Sequence, residues 1–146
     1  MPSRPSRRSL LYRDDGQALT ELGLTVGFLC LMLLAVWQVG TVFSNYIDLS
    51  EAAREGARAA ALSGAPPSAG DTASLTAAQS EGTYAATNSA SVPGMTVSIA
   101  AVGVWTAGGK VRATVSAPYT LSLFGVAVTS GTMSVSDDMR VHRKGA

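Results

Sequence analysis

Charge is scarce in this 146-residue chain: Asp, Glu, Lys and Arg together make up 14%, against 47% hydrophobic residues. The net charge is +1, and the basic residues gather at the two ends. A nucleic-acid-binding protein would show a basic stripe or cluster beside aromatic residues, and aromatics are only 6% here, so nucleic acid is not an expected partner. There is one cysteine, Cys30. It has no partner for an internal disulfide, so the folded part must hold together by core packing alone. The only histidine, His142, lies in a basic tail. Asp137 and Asp138 are the one acidic pair with a conceivable cation-binding role, yet neighbours on a strand face opposite sides. No nucleophile–base pair, phosphate-cradling loop or metal-ligand spacing occurs. The expectation is therefore no enzyme, no cofactor, no metal and no small-molecule substrate.

What the chain does have is one long apolar run. Residues 22–43, LGLTVGFLCLMLLAVWQVGTVF, contain no formal charge, and that exceeds the roughly 20 residues a helix needs to cross a bilayer. Only a helix satisfies its own backbone in lipid. Arg4, Arg7, Arg8 and Arg13 precede the run, which places the N-terminus in the cytoplasm and the remainder outside it. The apolar stretch is longer than that of a secretory signal peptide, and no small-x-small cleavage site directly follows it. Helical patterning continues through NYIDLSEAAREGARAAA, predicting one helix from about residue 18 to residue 62. A plain uncleaved signal-anchor accounts for all of this.

Glu21 is what a plain anchor leaves unexplained. A carboxylate at the centre of a membrane helix costs about 2.5–3.5 kcal/mol or more, and less at the edge, so it needs a reason and a partner. Gly16 lies five residues before it, after a short Arg-containing leader. Basic leader, Gly, four residues, Glu and apolar helix together resemble the processing site of type IV prepilins, which a membrane aspartic peptidase cuts after the Gly. A cut between Gly16 and Gln17 would free an ammonium at Gln17, one helical turn from Glu21. A Gly before the cut allows close backbone approach. In an assembly, the carboxylate could pair with the ammonium of a neighbouring subunit; alone, it favours the helix N-terminus.

Beyond the span, Asp48, Glu51, Arg54, Glu55 and Arg58 fall on one helical stripe that water accepts. Tyr46, Leu49, Ala53, Gly56, Ala57 and Ala60 lie opposite. Most are small, so another backbone can approach closely. Two occupants fit this face: the protein's own C-terminal part or another subunit. Taken with GQALTEL and the span, the run Glu51, Ala52, Ala53, Arg54, Glu55, Gly56, Ala57, Arg58 is similar to that of the TadE-like pseudopilins, over roughly residues 13–61. A late Asp138-Met139-Arg140 also resembles the end of many members. Leu22 stands where many members have an aromatic residue, no proline interrupts the span, and Gln17 replaces the phenylalanine that opens many major pilins. The resemblance implies a minor pilin of the Tad (tight adherence) pilus and secretion machinery rather than its main building block. It implies processing by a prepilin peptidase, with other pilins, the inner-membrane assembly platform and membrane lipid as partners. The alternative is an uncleaved bitopic protein whose head binds an envelope ligand.

Residues 63–70 (SGAPPSAG) form a linker by composition. Asp71 is placed to cap a helix over residues 72–90, with Leu75, Ala78, Ala85 and Ala86 near one face. Residues 96–105 predict a strand, and Gly108-Gly109 a hairpin turn. Val111, Ala113, Val115 and Ala117 alternate with polar residues up to Pro118, which is expected to end that strand. Met133, Val135, Met139 and Val141 predict a third strand interrupted at Asp137, while residues 121–131 fit loop or strand. The expected fold class is α+β: a leader (1–16), a long N-terminal helix (17–62) with its transmembrane segment at 22–43, a linker (63–71), and a small head (72–146) of one helix on a three-stranded antiparallel sheet.

Overall fold

The computed structural model describes residues 8–63, 66, 68–123 and 125–142, with side chains from residue 16 onward. Arg4 and Arg7 of the leader therefore lie outside the described residues, as do the side chains of Arg8 and Arg13. The elements follow the order α1 (Arg8–Leu62), α2 (Thr72–Ser89), β1 (Thr96–Val102), β2 (Lys110–Leu123) and β3 (Val126–Arg140). This is an α+β fold with a long apolar N-terminal helix, a second helix and one antiparallel sheet in the order β1-β2-β3. Two compact units divide the chain between Val39 and Gly40.

α1 ends where patterning predicts but begins about ten residues earlier, running through Gly16. Residues 8–15 contain no proline or glycine to stop it, and a lone interior Gly costs only about 1 kcal/mol relative to Ala. At its other end the Ser63 amide donates to Ala59 O (3.0 Å) and the Ser63 hydroxyl to Ala60 O (2.8 Å). The proline-containing linker then prevents continuation. α2 begins at the predicted cap: the Ser74 amide donates to Asp71 Oδ2 at 2.9 Å. Hydrogen bonding from Ser74 holds the Asp71 carboxyl below its usual range.

The second unit, residues 40–146, contains the core. Leu49, Ala52, Ala53, Ala57, Ala60 and Ala61 of α1, Ala78 and Ala86 of α2, and Val111, Ala113, Val115 and Ala117 of β2 are all buried. The β2 residues alternate with Arg112, Thr114 and Ser116, as one covered and one open sheet face require. Side chains this small leave little apolar area per residue, so the elements must lie very close together. They do. A Cβ on Gly82 would lie 2.7 Å from Gly56 O, and one on Gly56 would lie 3.1 Å from Gly82 O.

Three strand boundaries differ from expectation. β1 stops at Val102 because Gly103 takes a positive φ of 89°; Trp105 then leaves the sheet and enters the core, only 3% exposed. Its indole Nε1 donates to Ser74 Oγ (3.0 Å), and its carbonyl accepts from the Gly70 amide (2.8 Å). Gly108 and Gly109 accordingly close a longer 103–109 connection rather than a tight hairpin. Pro118 does not end β2. It pairs with Thr132 on β3, while β1 reaches only Ser116, so the missing N–H is tolerated beside an open edge. β3 runs unbroken through Asp137, residues 121–123 and 126–131 are strand, and Gly125 takes a φ of 81°.

Candidate assembly interface on the N-terminal helix

In the first unit, about three consecutive turns build the site around Glu21. Gln17 Nε2 donates to Glu21 Oε1 at 3.2 Å, across one turn. The Thr20 hydroxyl donates back to Gln17 O at 2.7 Å, and that of Thr25 to Glu21 O at 2.8 Å. These backbone contacts let hydroxyls sit on an apolar helix without unmet bonding capacity. Gly16 has open space where a Cβ would point. Gly16, Gln17 and Glu21 are all exposed. The segment that follows is apolar on every side, with Leu24 78%, Val36 70% and Trp37 77% exposed. A helix apolar all round belongs in a membrane or inside a larger assembly. It is long and apolar enough to span, and this single N-terminal helix is that of a membrane-anchored protein.

In the second unit, α1 divides into two faces. Glu51, Arg54 and Arg58 are exposed and Glu55 is half-buried; Glu55 and Arg58 approach to 3.5 Å, an exposed pair of small energetic value. Leu49, Ala53, Gly56, Ala57 and Ala60 are buried against the head's own α2 and sheet. Tyr46, assigned to the same face by periodicity, is 46% exposed. It lies one turn before Leu49, where the core cover has ended. The two readings of the small-residue face thus separate along the helix: its upper part is occupied within the chain.

Gly56 in the Glu51–Arg58 run has a specific mechanical role. Gly56 and Ala60 on α1 face Gly82 and Ala86 on α2, two small-x-x-x-small pairs that let the helix backbones nearly touch. Gly82, Ala52, Ala61 and Trp105 are core residues that periodicity did not assign; the paired Gly-x-x-x-Ala spacing was the available signal for Gly82. Asp137 and Asp138 diverge. Asp138 lies opposite Arg112 on the outer sheet face and accepts from its Nε (2.6 Å) and Nη2 (2.9 Å). That guanidinium holds the Asp138 carboxyl below its ordinary range. Asp137 is half-buried on the other face, in a groove with Ser50, Glu51 and Arg54. Among the described residues no group of three or more His, Cys, Asp or Glu could hold a metal ion.

No curated protein and no solved structure matches the chain. A family model does, over residues 16–58, a segment that starts at Gly16, contains Glu21 and the span, and stops at Arg58 before α2 and the sheet. Over residues 16–58, then, the chain is similar to the family described as TadE-like protein.

Proposed function

We propose that this is a Tad pilus-associated pseudopilin, a minor subunit that packs by the lower part of α1 with other pilins. The observation that supports this most directly is the contrast along α1. Its upper face is used by the head, whereas the apolar surface from Leu22 to Val39, with Glu21 at its mouth, remains exposed. In this reading a prepilin peptidase cuts between Gly16 and Gln17. The new ammonium at Gln17 and the carboxylate of Glu21 then serve adjacent subunits in the membrane or in a packed filament. Losing one partner of such a buried pair costs about 3–5 kcal/mol. The protein acts as a structural subunit, not as an enzyme. It is placed in the cytoplasmic membrane with its head outside, and the assembly platform and lipid are its further partners.

One observation favours an uncleaved bitopic anchor instead: α1 is helical across the Gly16–Gln17 bond, which a peptidase would have to unwind. N-terminal sequencing of mature protein separates the two. A start at Gln17 is expected; an intact leader would leave the anchor. In processed protein, Glu21→Ala should preserve insertion and head folding yet reduce assembled pilus at least tenfold, measured in sheared filament fractions. Normal output would deny the carboxylate a role in assembly.

A further inference from the structure

The β2–β3 ribbon extends past the part of the sheet that covers the helices, and its far end differs from the rest of the head. From Ala117 to Ser136 there is no Asp, Glu, Lys or Arg. β1 ends opposite Ser116, so beyond Pro118 only two strands pair, with Val128 skipped in the register between Leu121 and Ser122. A two-stranded ribbon is marginal in water by itself, and proteins protect an exposed strand edge with charges. This one has none. Val126 and Val128 are each 69% exposed, with Leu121 and Leu123 half-buried beside them.

Contacts within the head fix where this end lies. The His142 amide donates to Ala61 O (3.1 Å), and Val135, Ser136 and Asp137 share a groove with Ser50, Glu51 and Arg54. β3 therefore runs in the same direction as α1. Ten residues of strand from Ser136 back to Val126 cover on the order of 33 Å; eleven residues of helix from Glu51 back to Gly40 cover on the order of 16 Å. These are contour lengths, and a twisted strand runs obliquely to a helix, so the ribbon is long enough to reach the Gly40 end of the head, where Phe43, Tyr46 and Ile47 are also exposed. At this end the chain continues into the apolar span.

We propose that Leu121, Leu123, Val126 and Val128 form a second membrane contact, seated at the boundary between headgroups and acyl chains. The absence of charge over twenty residues and the position at the span-proximal end select lipid as the occupant. An open strand edge keeps its backbone out of the hydrocarbon core, which sets the depth at the interface, where partly apolar elements lie. The inference rests on the membrane-anchored reading of the chain.

The test uses full-length Cys30→Ala protein in nanodiscs of phosphatidylethanolamine and phosphatidylglycerol. Single cysteines at Val126→Cys, Val128→Cys, Leu33→Cys and Lys110→Cys carry a small fluorophore. At 126 and 128, lipids spin-labelled near the headgroup should quench strongly and aqueous iodide weakly. At 33, lipids spin-labelled deep in the chain should quench; at 110, only iodide. Iodide quenching at 126 and 128 with lipid quenching retained at 33 would overturn the ribbon contact alone. Shielding at 126 and 128 that vanishes at one copy per disc would assign the ribbon to a second copy, also overturning it. Loss of lipid quenching at 33 would remove the membrane anchor and the ribbon contact together.

Discussion

From Gly16 to Val39, α1 exposes large apolar side chains on every side, Leu24 and Trp37 among them. From Leu49 to Ala61 the same helix buries a stripe of Ala and Gly, and it gives its other side to Glu51, Arg54 and Arg58. Helix propensity does not separate these regions; side-chain size and what covers it do. Large residues with no cover require an environment that is itself apolar. Small residues with cover allow a close crossing in which the backbones, rather than long side chains, make the contact. A lipid-facing helix and a core-forming helix can therefore be one uninterrupted element, and the division of labour appears only in the environment of each turn.

Aromatic truncation provides the largest test of that difference. Trp105→Ala removes a buried indole together with the donor to Ser74 Oγ, and should destabilise the head by about 3–5 kcal/mol. Phe28→Ala removes an aromatic ring that is exposed in the first unit. It should leave the head's denaturant midpoint unchanged, as measured by urea unfolding in detergent micelles. Equal losses from both would mean that the two regions unfold as one.

Glycine substitution should reverse sign between the regions. Gly82→Ala puts a methyl 2.7 Å from Gly56 O and 3.0 Å from the Ala60 Cβ, so the helices must part, at about 1–3 kcal/mol for overpacking. Gly27→Ala meets nothing within 4 Å and should favour the helix by up to about 1 kcal/mol. Unfolding midpoints for the head, with circular dichroism of the helix, measure both. A neutral Gly82→Ala would contradict the close crossing.

The cap of α2 comes next. Asp71→Ala should cost about 1 kcal/mol by orphaning the Ser74 amide. Amide hydrogen exchange should rise in the first turn of α2 and not in α1, and no change at Ser74 would dismiss the cap.

Much of this fold was legible because its signals are periodic or local. The charge-free run, the Asp71 cap, the alternation of Val111 to Ala117 and the end of α1 at Leu62 depend on near neighbours. The misses depend on distant ones. Whether Pro118 ends a strand is decided by how far β1 reaches on its open side, and whether Trp105 stays in the sheet is decided by Gly103 and by Ser74 on another element. The Glu51–Arg58 run was visible as a motif, but the partner of its Gly56 is twenty-six residues away, at Gly82. Tyr46 shows the opposite limit: a correct helical phase says nothing about where the covering element stops.

The smallest expected effect lies on the sheet face away from α1, where Arg112 and Asp138 join β2 to β3. Because the Arg112 hydrogen bonds lower the folded-state value of Asp138 beneath its ordinary 3.8, linkage makes this contribution complete above that ordinary value. It is lost as pH falls through the depressed one. Exposure and salt screening keep it small. Wild type should therefore lose head stability on acidification below about pH 4 more steeply than Asp138→Asn, in which the titrating carboxyl is absent. The two proteins should converge at the acid end, and added salt should narrow the gap at neutral pH. Identical acid slopes would mean that the pair does not tie the strands together, leaving the buried side of β2 to hold the ribbon in register by packing alone.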